Sequence, residues 1–232
     1  MNAVKGTYRL LFEDMRWWLL LFSAITLGLA VIFIAIGVIF EVSFSASLFG
    51  PIYGAICTIA CIGIVYSFPV LIGLGSTRKQ FLKSYYFIAS IMVICFITVL
   101  NIIYFIMNTL NQLGVHKLSF FHPGMFYSMN YHILAYVWID LMVGFLLLGL
   151  SAFLTVSWKR LGTRNFLIIF FAFNLLITIL INIINITSLL EWVFELNVIY
   201  TFTIVGFIGF CLLICTFPMM KHAPLVMKAR NA

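Results

Sequence analysis

Few residues of this chain can carry chemistry, and most of them lie at the edges of long apolar segments. Asp140 is the single ionisable side chain deep within such a segment. Intramembrane hydrolysis needs a Ser–His pair, two aspartates, or Glu and His ligands for a metal ion. His116, His122 and His132 are irregularly spaced and have no acidic residue beside them. The sequence therefore predicts no metal site, no catalytic site and no enzyme.

Asp140 has two interpretations. A charged group inside a membrane is costly, so it should face a cavity or a partner, or be protonated. It is either a pathway or gating residue, or a hydrogen-bonding anchor between helices, with Tyr136 one turn further outward. We slightly favour the anchor.

A second set of polar side chains recurs every three or four residues in a later apolar segment. This spacing puts them on one face of a helix. Lipid would penalise that face, so we expect it to pack against another helix or to line a cavity. The set is Asn174, Thr178, Asn182 and Asn185.

The composition fixes the class of protein that must position these residues. The hydrophobic fraction is 65%, the charged fraction is 8% and the mean hydropathy is +1.20, whereas soluble domains carry about 25% charged residues. This excludes a soluble enzyme, a nucleic-acid binder and a disordered chain. We predict an all-α polytopic membrane protein with one transmembrane domain over residues 1–232. The predicted spans cover about 17–40, 51–74, 85–107, 132–156, 166–187 and 197–217.

The basic residues predict the orientation of these spans. Twelve of the thirteen lysines and arginines lie on one side of the predicted spans. They precede span one, lie between spans two and three or between spans four and five, or follow span six. Lys117 alone lies on the other side. Because cytoplasmic loops carry an excess of Lys and Arg, we expect a cell-membrane protein with both termini in the cytoplasm.

Local patterns predict three short helices outside the spans and two features within span two. Residues 1–16 read as an amphipathic interfacial helix, or alternatively as a basic flank of span one. Ser188–Glu191 begins a short outer helix before span six. Within span two, Gly50-x-x-x-Gly54 suggests close helix contact and Pro69 predicts a kink or a break.

The third short helix is predicted on the inner side, over residues 77–84. Thr77 and Gln80 have the spacing of a capping box. Arg78 and Lys79 would hold this helix at the surface, while Phe81 projects as an apolar knob towards a cytoplasmic partner. The alternative is an interfacial turn whose basic residues only set the topology.

This layout resembles the small permease subunits of bacterial ATP-binding-cassette exporters, which have an amphipathic N-terminal helix, six spans and a cytoplasmic coupling helix. The segment Gly75-Ser-Thr-Arg-Lys-Gln-Phe81 is similar to the Gly-x-Thr-Arg-[Lys/Arg]-x-Phe stretch of that family, after a second-span end with Pro69 and Gly73. In Gram-positive bacteria such permeases export antimicrobial or lipid-active peptides, as in bacitracin, lantibiotic and phenol-soluble-modulin exporters.

The resemblance implies partners and a route. It implies two permease chains, by default a homodimer with a related second permease as the alternative, and separate cytosolic ATPase chains that bind ATP and Mg. Thr77, Arg78, Lys79, Gln80 and Phe81 would couple to the ATPase. Spans two and five would line the route for an amphipathic peptide taken from the membrane lipids or the cytosol. A lipid or drug exporter, or a scaffold or sensor protein without transport, remains an alternative.

Overall fold

The computed structural model describes residues 3–40, 45–114, 119–128, 131–183, 197–221 and 223. Within these ranges, six helical segments are long and apolar enough to cross a membrane. The protein is therefore an all-α polytopic membrane protein, as predicted. Its helices are α1 (Ala3–Ile39), α2 (Phe49–Ile62), α3 (Phe68–Gly73), α4 (Arg78–Gln112), α5 (Ile133–Leu161), α6 (Thr163–Ile183) and α7 (Val198–Lys221).

The first helix is longer than a membrane span. Its 37 residues reach about 55 Å at about 1.5 Å per residue, against a hydrocarbon core of about 30 Å. The predicted interfacial helix over residues 1–16 is not a separate element, because no proline or glycine interrupts the chain between Met15 and Trp18. Within this segment, Leu11 and Met15 are fully buried against the rest of the protein.

The second span is continuous but irregular next to Pro69. A π-helical turn over Gly63–Ser67 separates α2 from α3. Pro69 has no backbone N–H, so a regular α-helical ladder cannot continue through it. The wider turn places Tyr85 against the backbone of Gly63, where a Cβ atom would overlap the tyrosine ring.

The capping box is confirmed, but the separate helix over residues 77–84 is wrong. The Gln80 amide donates to Thr77 Oγ1 at 3.3 Å, and the Thr77 amide donates to Gln80 Oε1 at 3.1 Å. The helix that starts here continues as α4 through span three. Nothing breaks it at Ser84–Tyr85, where the residue types are all compatible with a helix.

The closest helix contact joins α5 to α7. A Cβ atom on Gly149 would fall on the carbonyl of Gly209, and one on Gly209 would fall on the backbone of α5. By contrast, nothing in the described residues lies within 4 Å of a Cβ on Gly50 or Gly54. The described residues therefore do not supply the close contact expected at those two glycines.

Two short strands join the connections at one end of the bundle. Strand β1 (Ser45–Ser47) follows α1, and strand β2 (Ser119–Phe121) follows α4. They pair in parallel, with Ser45 opposite Ser119 and Ser47 opposite Phe121. The predicted outer helix at Ser188–Glu191 lies outside the described residues.

Hydrogen bonds join the basic connections to one another at the other end of the bundle. Thr7 Oγ1 lies 3.0 Å from Ser76 Oγ. Arg78 donates to the carbonyl oxygen of Lys221 at 2.9 Å. The start of α1, the turn before α4 and the end of α7 therefore share one end of the bundle, opposite the two strands.

Candidate functional site

The turn between α3 and α4 exposes several side chains at the basic end. Gly75 has a positive φ of 89°, which lets the chain reverse within a few residues. Leu74 is 68% exposed at the tip. Thr77, Lys79 and Lys83 are exposed beside it. We call these four side chains the inner patch: Leu74, Thr77, Lys79 and Lys83.

Phe81 does not project from this patch, contrary to the sequence-based prediction. Its side chain is fully buried. Its ring centroid lies 5.1 Å from that of Phe68 and 5.8 Å from that of Tyr85. Phe81 falls on the core face of α4, so it holds the turn to α3 rather than contacting a partner.

Arg78 also has a structural partner. Its guanidinium donates to the carbonyl oxygens of Lys221 at 2.9 Å and Ala223 at 2.8 Å. The first carbonyl ends α7, where the last C=O groups lack partners within the helix, and the second lies two residues beyond it. Arg78 therefore ties the start of α4 to the end of α7, just behind the inner patch.

At the opposite end, Asp140 forms the centre of a buried polar cluster. Its carboxylate accepts hydrogen bonds from Tyr53 Oη at 2.8 Å and Asn101 Nδ2 at 2.7 Å. His122 Nε2 lies 3.0 Å from the same carboxylate. Asp140 and His122 are at most 2% exposed, and Asn101 Oδ1 is buried without a partner. These four residues are called the outer cluster below.

The cluster supports the anchor interpretation of Asp140. Asp140 lies about two turns from the start of α5. It connects α2, α4 and the segment that follows β2. The role of His122 is not visible in the sequence, because its carboxylate partner is 18 residues further along the chain and no spacing rule marks the pair.

The described residues leave α6 uncovered on all of its faces, and its polar stripe is exposed with the rest of the helix. Asn174, Thr178 and Asn182 are exposed, and the span that contains them has no buried residue. Asn174 Nδ2 and Asn182 Nδ2 donate to carbonyl oxygens four residues earlier, at 2.8 and 2.7 Å. The expected helix or cavity is therefore not supplied by the described residues. Asn185 lies outside them.

These features define a class: a six-span helical membrane protein with a basic end, a buried polar cluster at the other end, and one helix with an uncovered polar stripe. No protein-family model matches the chain, and neither a curated protein nor a solved structure is significantly similar to it. Among the described residues, no group of three His, Cys, Asp or Glu side chains could hold a metal ion.

Proposed function

We propose that this chain is the permease subunit of an ATP-binding-cassette exporter, powered by a separate cytosolic ATPase that binds ATP and Mg. The observation that carries the proposal is the uncovered polar stripe of α6. Amide side chains facing lipid are costly, and a second copy of the chain would cover them. Two stripes facing each other would enclose a polar route between the copies, with both termini of each copy in the cytoplasm.

The inner patch is the proposed docking surface for the ATPase. The capping box of Thr77 and Gln80 and the clamp from Arg78 hold it rigidly. Leu74 offers an apolar contact, and Lys79 and Lys83 offer charge. The similarity of residues 75–81 to the coupling segment of exporter permeases supports this role. With Phe81 in the core, Leu74 takes the role of the knob.

A pair of leucine variants tests the docking surface. Leu74 is 68% exposed in the inner patch, and Leu113 is 73% exposed at the other end of α4. We expect Leu74→Asp to abolish copurification of a chain with the nucleotide-binding motif G-x-x-x-x-G-K-[ST], and Leu113→Asp to retain it. Retention by Leu74→Asp with unchanged transport would exclude the patch as the docking surface. Wild-type protein purified from its native membrane without any such ATPase would exclude the exporter.

The proposed substrate is an amphipathic, membrane-active peptide. Amide and hydroxyl groups on α6 offer hydrogen bonds without fixed charge, and exposed Phe and Ile side chains border them. Such a surface suits a peptide better than an ion, whose route needs rings of charges or carbonyls. In proteoliposomes with the ATPase, amphipathic helical peptides should stimulate ATP hydrolysis. Stimulation by phospholipids or drugs, with peptides inert, would overturn the substrate class.

A further inference from the structure

Residues 119–128 form a cap over the outer cluster. The cap consists of β2 and a 3-10 helix at Pro123–Phe126. Tyr104 Oη donates to the carbonyl oxygen of Phe120 at 3.2 Å, and Tyr136 Oη donates to that of Ser128 at 2.9 Å. His122 lies between these two attachments and is the cap residue that contacts Asp140. The cap is therefore fixed to the transmembrane helices partly through one titratable side chain.

The hydrogen bonds of His122 determine where its proton lies. The Gly124 amide donates to Nδ1 at 2.9 Å, so Nδ1 carries no proton. The remaining proton is on Nε2, which donates to Asp140 Oδ2. The imidazole is thus neutral and serves two roles at once. It caps the N-terminus of the 3-10 helix through one nitrogen and holds Asp140 through the other.

We propose that His122 is a proton-operated latch of the cap. A proton from the aqueous phase at this end of the bundle adds to Nδ1, which then donates and no longer accepts. The Gly124 amide loses its partner and turns to water, so the first turn of the 3-10 helix opens. Nε2 keeps its contact with Asp140, now as an ion pair. This property is independent of the proposed transport function.

One carboxylate and several tyrosines surround the ring of His122. Asp140 and Tyr136 face it from α5, Tyr104 faces it from α4, Tyr53 contacts Asp140 from α2, and Tyr131 precedes α5. Tyrosine titrates near pH 10 in water, and burial raises the pKa of Tyr131 further. No described lysine or arginine forms an ion pair with Asp140, so a protonated His122 would neutralise a buried charge.

The close packing of the cap makes the opening detectable. A Cβ atom on Gly124 would overlap the ring of Tyr136, and the Tyr136 ring stacks on His122 with centroids 4.7 Å apart. Release of the Gly124 amide therefore requires the backbone to move off this ring. Amide hydrogen exchange of the cap reports that movement directly.

The test measures hydrogen exchange of the Gly124 amide in the full chain in nanodiscs, between about pH 8 and about pH 5. After correction for the intrinsic rate, we expect protection to fall at least about fivefold in acid, as for the loss of one hydrogen bond. His132→Asn serves as the control, because His132 is exposed and makes no capping bond. That variant should show the same decrease.

Two substitutions separate the two nitrogens of His122. An asparagine oxygen occupies the place of Nδ1 and accepts from Gly124, as in an Asx turn. His122→Asn should therefore keep the amide protected at every pH. A glutamine nitrogen occupies the place of Nε2 and leaves Gly124 without an acceptor, so His122→Gln should resemble the acid form at every pH.

A spectroscopic measurement covers the case in which these variants fail to fold. In wild-type protein with ¹⁵N-labelled histidine, solid-state NMR should detect a neutral His122 with its proton on Nε2 at about pH 8 and a doubly protonated ring at about pH 5. Protection that does not change with pH, or a ring that stays neutral in acid, would overturn the latch. The His122 ring would stay neutral in acid if Asp140 took up the proton instead.

Discussion

The ammonium group of Lys159 in α5 donates a hydrogen bond to the carbonyl oxygen of Ile64 in the π-turn, at 3.1 Å. In a π-turn, each carbonyl accepts from the amide five residues later, and the Phe68 amide does bond to Gly63 in this way. The next amide in this register would be that of Pro69, which has no N–H. Lys159 replaces the missing donor, so the π-turn and the buried lysine form one arrangement.

Removal of this donor should destabilise the protein in a way that depends on Pro69. Lys159 is only 4% exposed, so Lys159→Met leaves the Ile64 carbonyl buried without a partner, at a cost of about 1–3 kcal/mol. Pro69→Ala restores an amide at the required position. We therefore expect Lys159→Met to cost markedly less in a Pro69→Ala background, as measured by a double-mutant cycle of denaturant unfolding in detergent.

The neighbouring Arg160 supplies the control for this cycle. Its side chain is exposed, so Arg160→Met should change the free energy of unfolding by less than about 0.5 kcal/mol. Equal costs of Lys159→Met in the two backgrounds would show that the hydrogen bond to Ile64 does not depend on the proline.

The features that the sequence predicted are those determined by near neighbours. The capping box of Thr77 and Gln80 and the helix irregularity next to Pro69 each depend on residues within about one turn. The contacts of Lys159 with Ile64 and of His122 with Asp140 join residues 95 and 18 positions apart. No periodicity marks such pairs, so only the packing of the helices identifies them.

The error at Phe81 has a similar physical cause. A capping box marks where a helix begins but not where it ends. A short surface helix and the first turns of a long span therefore look alike in sequence. Only the packing of Phe81 against Phe68 and Tyr85 shows that its side chain is buried. Likewise, Gly50 and Gly54 have the spacing of a contact motif, whereas Gly149 and Gly209 come from two helices and form the actual contact.

Gly149→Ala should destabilise the contact between α5 and α7. The new methyl group would meet the backbone carbonyl of Gly209, which cannot move aside as a side chain could. Overpacking of this kind costs about 1–3 kcal/mol. Gly54→Ala is the matched control in α2, where none of the residues that the structure describes lies within 4 Å of the added atom. Unfolding in detergent should show a loss for Gly149→Ala alone, and equal stabilities would contradict the close contact.

Asp140→Asn should loosen the outer cluster. The carboxylate accepts from Tyr53, Asn101 and His122, whereas an amide presents an N–H₂ group to at least one of these donors. The expected cost is about 1–3 kcal/mol. Transport by the folded variant should remain near wild type if Asp140 is an anchor. Tyr53→Phe, which removes one donor without adding another, should cost less, and loss of transport with normal stability would place Asp140 in the mechanism.

A second copy of the chain that covers α6 should bring two Asn182 residues close together. In a background without the five native cysteines, Asn182→Cys should form a disulfide-linked dimer in native membranes. Leu180 lies on the opposite face of the same helix and is 44% exposed. Leu180→Cys should react with a soluble thiol reagent no faster than Asn182→Cys does, and it should not cross-link. Cross-linking of both variants to the same extent would indicate random collision, because only a packed stripe distinguishes the two faces. A strictly monomeric particle that still transports would refute the dimer. In such a particle the polar face of α6 would meet lipid in the working protein.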